Sequence, residues 1–171
     1  LVIQFANSIV STKYKYYYGD GTTDSGNSTG ATKTKTYPGS TALTAKLFWD
    51  QAEEIYLDAS DQIIQTIEGL CPRRMITFDC SANQLKLIKN NIFANMGAQP
   101  SNTNFQLWGN RLDKFAIDAI IRYAYDSIPQ FNVPAGIDMQ SQAPVASPST
   151  EEGMAYIKNS LFAAGITILT D

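Results

Sequence analysis

The side chains of this sequence that could do chemistry are carboxylates, basic groups and two cysteines, because the chain contains no histidine. The missing imidazole excludes Ser-His-Asp and Cys-His nucleophile systems, and it excludes zinc or haem sites with histidine ligands. The carboxylate pairs Glu53–Glu54 and Glu151–Glu152 fall in first turns or on polar faces of predicted helices, where acids are common. We therefore expect no enzymatic activity.

Cys71 and Cys80 lie nine residues apart, and neither a histidine nor a second cysteine pair accompanies them. This arrangement does not match the known spacing patterns of cysteine metal ligands, so it does not predict a metal site. The two cysteines form a disulfide in an oxidising compartment or remain buried thiols inside a cell, and the sequence leaves both alternatives open. The glycine-rich stretch in residues 19–30 lacks the lysine of a phosphate-binding loop. We expect no cofactor and no metal.

Arg73 and Arg74 form a basic pair ahead of a helix that is predicted to begin at Ser81. Guanidinium groups and the free N–H groups of a helix N-terminus both suit phosphate oxygens. This pair is a candidate for binding the backbone of a nucleic acid.

A second basic group consists of Arg111, Lys114 and Arg122, which share one broad face of a predicted helix with Asp118. The spacing fits phosphate binding, with Asp118 holding an arginine in place. It fits equally an intrahelical ion-pair ladder, because Lys114 and Arg122 each lie four residues from Asp118.

The distribution of charge supports a basic middle section within an acidic chain. The net charge is −3 overall, while residues 71–125 carry a net +4 and residues 41–70 a net −5. Either the basic section lines a groove for a polyanion, or oppositely charged sections neutralise each other within or between copies of the chain.

The elements that would position these residues begin after residue 40. Residues 1–18 favour a strand or an extended arm, and residues 19–40 are polar and glycine-rich, as in a flexible linker. Apolar residues at helical spacing predict four helices, over residues 41–70, 81–96, 110–128 and 149–165. Ser81 with Gln84, and Ser149 with Glu152, are the predicted capping boxes.

These patterns predict a mostly α protein with three parts. They are an extended arm and linker at 1–40, a helical core domain at 41–165 and a short tail at 166–171. We find no internal repeat, and no stretch of about 20 apolar residues that would span a membrane.

Several short motifs, in order along the chain, resemble the coat proteins of flexible filamentous plant RNA viruses of the closterovirus and potexvirus-like group. The central run is NTNFQLWGNRLDKFAIDAI, residues 102–120, with its Trp108-Gly109 pair and its Lys114-Phe115-Ala116 stretch near Asp118. The other resembling segments are Arg73-Arg74 with Phe78-Asp79, Val133-Pro134-Ala135-Gly136 and STEEGMAYI at 149–157.

The resemblance implies a structural nucleocapsid protein with a helical core and arms that reach neighbouring subunits. Such a protein polymerises head to tail with copies of itself and encapsidates single-stranded RNA without sequence preference, in a virion assembled in the host cytoplasm. The residues assigned to RNA are Arg73, Arg74, Arg111, Lys114, Asp118 and Arg122, with Asp118 orienting an arginine. No membrane partner is expected.

A second hypothesis belongs to a different class. The serine-, threonine- and glycine-rich arm and a possible Cys71–Cys80 disulfide fit a secreted or surface filament subunit, or an adhesion module, that binds no nucleic acid.

Overall fold

The computed structural model describes residues 2–5, 12–17, 21–28, 32–34, 46–49, 55–58, 60, 64–69, 75–94, 96, 103–131 and 133–171. Within these residues the chain forms twelve β-strands and two α-helices and belongs to the α/β class. The predicted mostly α fold is therefore wrong. Buried side chains of parallel strands of the largest sheet, of the loops that follow them and of both helices form the described core.

The main sheet has seven strands. In spatial order they are β12 (Ile166–Leu169), β11 (Ala135–Asp138), β10 (Thr103–Gln106), β8 (Met75–Asp79), β6 (Ile55–Asp58), β1 (Val2–Phe5) and β4 (Thr32–Thr34). Strands β6 to β12 of this sheet run parallel, whereas β1 is antiparallel to both of its neighbours. Each parallel strand lies beside the next one along the chain, so the chain advances across the sheet in one direction.

Two smaller sheets complete the strands. One contains β3 (Thr23–Ser28), β2 (Thr12–Tyr17) and β5 (Lys46–Trp49), all antiparallel. The other pairs β7 (Thr66–Ile67) with β9 (Leu87–Ile88) in parallel. Along the chain β7 follows β6 and β9 follows β8, and the β7–β9 pair is parallel like the β6–β8 pair.

The helices connect neighbouring strands of the main sheet. Helix α1 (Lys114–Asp126) joins β10 to β11, and α2 (Glu152–Ala163) joins β11 to β12. Asp113 caps α1, because its carboxylate accepts a hydrogen bond from the Ala116 N–H at 2.8 Å. The third and fourth predicted helices are confirmed, with later starts than predicted.

The two earlier predicted helices are wrong, since strands β5, β6, β7 and β9 occupy those stretches. In residues 81–96 a short strand and tight turns bury Leu85, Ile88, Ile92 and Met96, and these intervals of three and four residues imitate helical spacing. Neither predicted capping box forms: Ser81 donates from its N–H and its hydroxyl to Asp79 Oδ1, at 2.9 and 2.6 Å. Ser149 bonds to Asp118, and Glu151 is the N-cap of α2.

A repeat that the sequence analysis did not find organises the described sheet. Residues 78–85, 105–112 and 137–144 share a spacing in which two buried apolar residues at positions 1 and 3 precede an amide residue at position 6. The six apolar residues are Phe78, Cys80, Phe105, Leu107, Ile137 and Met139, and the three amide residues are Asn83, Asn110 and Gln142. Each unit supplies one strand, so successive units stack as in a solenoid.

The amide residues form a buried ladder between units. Asn110 Oδ1 accepts the Leu85 N–H of the preceding unit at 2.9 Å, and its Nδ2 donates to the carbonyls of Cys80 and Leu107 at 2.8 and 2.9 Å. Buried backbone groups left without partners would cost stability, and the ladder supplies those partners.

The neighbouring rungs repeat this bonding pattern. Gln142 Oε1 accepts the Leu112 N–H at 2.9 Å, and its Nε2 donates to the carbonyls of Leu107 and Met139 at 3.1 and 2.9 Å. One unit earlier, Asn83 Oδ1 accepts the Ile64 N–H at 3.0 Å. The backbone also repeats, because the residues just before the amides, Ala82, Gly109 and Ser141, all have left-handed φ of 51°, 65° and 57°.

Candidate functional site

The sequence-predicted RNA site is not assembled within the described residues. Arg73 and Arg74 lie outside the described part of the chain. Arg111, Lys114 and Arg122 are exposed on α1 and the turn before it. Among the described residues neither Lys114 nor Arg122 forms an ion pair, so the predicted intrahelical ladder is absent there.

Asp118 makes a different contact from the one predicted. Its Oδ1 accepts the Ser149 N–H at 2.8 Å, and its Oδ2 accepts the Ser149 hydroxyl in a short hydrogen bond. The carboxylate therefore fastens α1 to the segment that leads into α2. This structural contact occupies both oxygens that were assigned to an arginine.

A different surface is formed by the outward-facing residues of the parallel strands, which we call the strand face. Strand residues alternate between the two sides of a sheet, and the inward positions are the buried ones. The register places Thr77, Asn104, Gly136 and Thr167 in one row across β8, β10, β11 and β12. A second row contains Asp79, Gln106, Asp138 and Leu169. Trp108 follows Gln106 on the same side.

A cavity of about 260 Å³ lies on this face over β10, β11 and β12. The outward side chains around it are Asn104, Gln106, Trp108, Asp138, Thr167 and Leu169. Trp108 is 41% exposed and lines the cavity. The cavity therefore joins an indole ring, two carboxamides, a hydroxyl and a carboxylate.

Gly136 gives the Asn104 side chain its place in the cavity wall. A Cβ atom at residue 136 would lie 2.9 Å from Asn104 Oδ1, closer than real contacts of this kind. Any other residue at this position would push the carboxamide aside. The missing side chain thus keeps the middle of the cavity open and Asn104 in position.

The polar groups of the cavity have unused hydrogen-bonding capacity. Within the described part of the chain, the carboxamides of Asn104 and Gln106 and the indole N–H of Trp108 have no hydrogen-bond partner. Asp138 Oδ1 accepts the Gln140 N–H at 3.0 Å, and no described residue bonds to the second oxygen. These side chains are exposed or half-exposed, so water satisfies them in the free protein and they are accessible to an external ligand.

The charge of the strand face is negative. In the two rows described above, Asp79 and Asp138 are the charged side chains, and neither row contains a lysine or an arginine. The exposed basic residues of the same part of the chain, Arg111, Lys114 and Arg122, belong to α1 and the turn before it.

The chemistry of Cys80 fits a structural thiol. The side chain is 1% exposed and is a free cysteine. Burial, and secondarily the carboxylate of Asp79, raise the pKa of the Cys80 thiol to about 12. The thiol stays protonated at neutral pH, so it is a poor nucleophile and a poor metal ligand. Cys71 lies outside the described residues.

The described residues contain neither a cluster of metal ligands nor a helix that could span a membrane. No cluster of three or more histidine, cysteine, aspartate or glutamate side chains suited to a metal ion occurs there. Neither described helix has the length and apolar character needed to cross a bilayer.

A repeated spacing in the sequence predicts the strand face, although helical periodicity does not reveal it. The spacing apolar-x-apolar-x-x-(Asn/Gln) recurs at 78–83, 105–110 and 137–142, and Leu57, Ala59 and Gln62 follow it as well. The residues between the apolar positions are those that the strands point outward. Comparison of the chain with known protein families, with curated proteins and with solved structures gives no match.

Proposed function

We propose that this chain is a binding module that holds a segment of another protein against its strand face. The observation that carries the proposal is the cavity beside Trp108, where several polar groups without internal partners surround an exposed indole ring. This corresponds to the adhesion-module hypothesis of the sequence analysis. Its site differs from every residue that was assigned to RNA.

The repeat supports the proposal through its geometry. An apolar-x-apolar-x-x-Asn spacing with one strand per unit is the arrangement of leucine-rich repeats, which line an extended face with parallel strands. Stacked repeats present such faces for binding, because each unit adds one row of outward side chains. An extended protein segment can contact several of these rows at once.

The chemistry of the face favours binding over catalysis. Its carboxylates lie in surface rows beside neutral amides, and the described part of these rows has no activated nucleophile. Exposed aromatic and amide side chains form contact area and hydrogen bonds in protein interfaces.

The coat-protein hypothesis stays a prediction. The helical core that the resemblance implied is replaced by an α/β solenoid, and Asp118 is engaged by Ser149. The exposed basic groups of α1 remain available to an RNA backbone. Single-stranded RNA is therefore included as a ligand in the experiment below.

The experiment compares two bulky substitutions at exposed or half-exposed polar sites. Gln106→Trp fills the cavity, whereas Asn159→Trp places the same side chain on the exposed surface of α2. The immobilised protein selects binders from a random peptide display library. The best peptides and a labelled single-stranded RNA are then titrated against both variants and the unchanged protein.

We expect peptides that bind the unchanged protein and Asn159→Trp alike and lose affinity for Gln106→Trp. Thermal unfolding checks that both variants fold. Failure to select any peptide, or equal binding by both variants, would overturn the proposal. RNA binding that is lost on charge reversal of Arg111 and Arg122, but unaffected by Gln106→Trp, would favour the coat-protein hypothesis instead.

A further inference from the structure

We infer that the strand face selects a basic segment, and that a lysine or arginine of the partner lies between Asp79 and Asp138 beside Trp108. The inference rests on the proposed function, since it names the class of partner for the same face. It is carried by the register of three neighbouring strands, the free carboxylate oxygens and the position of the indole ring.

The register places one polar residue between two carboxylates. Asp79 of β8 and Asp138 of β11 are both aligned with Gln106 of β10, the strand between them. Neighbouring strands are spaced by about 4.8 Å, so the two Cα atoms are separated by roughly 10 Å. A cationic group above Gln106 would lie within hydrogen-bonding reach of either carboxylate.

Each carboxylate keeps an oxygen for such a ligand. Asp79 Oδ1 takes both hydrogen bonds from Ser81, and Asp138 Oδ1 takes the one from the Gln140 N–H. In the described structure neither Oδ2 atom has a partner. The bonds to Oδ1 fix the orientation of the two side chains, so little conformational freedom is lost when a cation binds.

Trp108 adds a surface that also favours cations. It follows Gln106 by two residues, on the same side of the chain, and the residue is 41% exposed. The face of an indole ring attracts ammonium and guanidinium groups, more strongly than the other aromatic rings do. The carboxamides of Asn104 and Gln106 can pair with the main chain of an extended segment.

The alternatives fit the charges less well. An anionic ligand would meet Asp79 and Asp138 without any lysine or arginine in the described rows. A neutral oligosaccharide could use the indole ring and the amides, but it would gain nothing from a pair of carboxylates that flank the same position. A basic segment can use both carboxylates, the indole ring and the carboxamides of Asn104 and Gln106.

The test uses a short fluorescein-labelled peptide in which arginine alternates with glycine and serine, and the same peptide with glutamine in place of arginine. Binding is measured by fluorescence anisotropy at low and high salt. The variants are Asp138→Asn, which keeps an oxygen for the Gln140 N–H, and the matched control Asp126→Asn at the exposed end of α1.

We expect the arginine peptide to bind, the glutamine peptide to bind at least about tenfold more weakly, and salt to weaken binding. Asp138→Asn should reduce affinity by about fivefold or more, because a charge-assisted hydrogen bond is lost, and Asp126→Asn should not change it. Trp108→Phe should remove the change in intrinsic fluorescence that the peptide causes.

Three results would overturn the inference. They are absence of binding by the arginine peptide, equal affinities of the two aspartate variants, and salt-independent binding. If the glutamine peptide binds as well as the arginine peptide and Gln106→Trp removes that binding, the proposed binding of a protein segment stands and the basic partner is wrong.

Discussion

The Leu85 N–H donates to Asn110 Oδ1 across two stacked units of the solenoid, at 2.9 Å. The bond joins residues that lie 25 positions apart in the chain. Both residues are fully buried, so water does not replace this bond. The same relation recurs between Leu112 and Gln142, one unit further on. These amides hold the units at the spacing that lets their strands pair and form the strand face.

The first prediction concerns the ladder. Asn110→Ala leaves the buried Leu85 N–H without a partner and removes one of two donors from each of the Cys80 and Leu107 carbonyls, so the free energy of unfolding should fall by about 2 kcal/mol or more. Asn159→Ala, on the exposed surface of α2, should change it by less than about 0.5 kcal/mol. Urea unfolding measures both variants. Equal midpoints would show that the ladder does not stabilise the fold.

The second prediction separates the observed contact of Asp118 from the predicted one. A double-mutant cycle with Asp118→Asn and Ser149→Ala should give a coupling energy of about 1 kcal/mol or more, because a charge-assisted hydrogen bond links the two residues. The cycle of Asp118→Asn with Arg122→Gln should give a coupling near zero, as expected for an exposed pair without contact. If the coupling energy of Asp118 with Arg122 were the larger of the two, the predicted intrahelical ion pair would be correct instead.

The third prediction is a pH dependence caused by Cys80. Its pKa is raised in the folded protein to about 12, above the value of 9.0 in the unfolded chain. Above pH 9 the unfolded state releases the thiol proton first, and the folded state therefore becomes less stable as the pH rises. Below pH 9 the thiol is protonated in both states and contributes no slope.

The measurement for Cys80 is the free energy of unfolding at pH 8 and pH 10, for the unchanged protein and for Cys80→Ala. The unchanged protein should lose up to about 1.4 kcal/mol more than the variant over this interval. Other titrating groups are common to both proteins and cancel in the difference. Identical losses would mean that Cys80 ionises as easily in the folded protein as in the unfolded chain.

The fourth prediction concerns the left-handed backbone conformation of the residue that precedes each amide residue of the ladder. Ala82 has φ of 51°, a conformation that costs about 1 kcal/mol or more for a residue with a side chain, so Ala82→Gly should raise the stability slightly. Ala155→Gly within α2 should lower it by about 1 kcal/mol. Opposite shifts of the melting temperature are expected. A loss of similar size in both variants would argue against the repeated turn geometry.

The sequence predicted the parts of the fold in which local signals are long. Helices α1 and α2 have three turns each and regular apolar faces, and their positions follow from periodicity. The described strands have two to six residues, too short for a reliable pattern of alternation. The parallel strands of the main sheet pair with residues 20 to 32 positions away, which one local window does not contain.

The candidate site was missed for a related reason. The charge distribution and the arginine spacing predicted a site on α1, whereas the strand face consists of outward-facing residues from separate units. Only the alignment of Asn83, Asn110 and Gln142 as equivalent positions would have placed Gln106 beside Asp79 and Asp138. The unit lengths of 27 and 32 residues, given by the positions of Asn83, Asn110 and Gln142, differ because α1 lies in the connection between Asn110 and Gln142, whereas the connection between Asn83 and Asn110 has no described α-helix.

The most direct test of the binding face is a titration of ¹⁵N-labelled protein with the arginine peptide, followed by heteronuclear NMR. We expect shifts of the Trp108 indole N–H and of the side-chain amides of Asn104 and Gln106, with little change at Arg111 and Arg122. Shifts confined to α1, or none at the Trp108 indole, would contradict a binding site on the strand face.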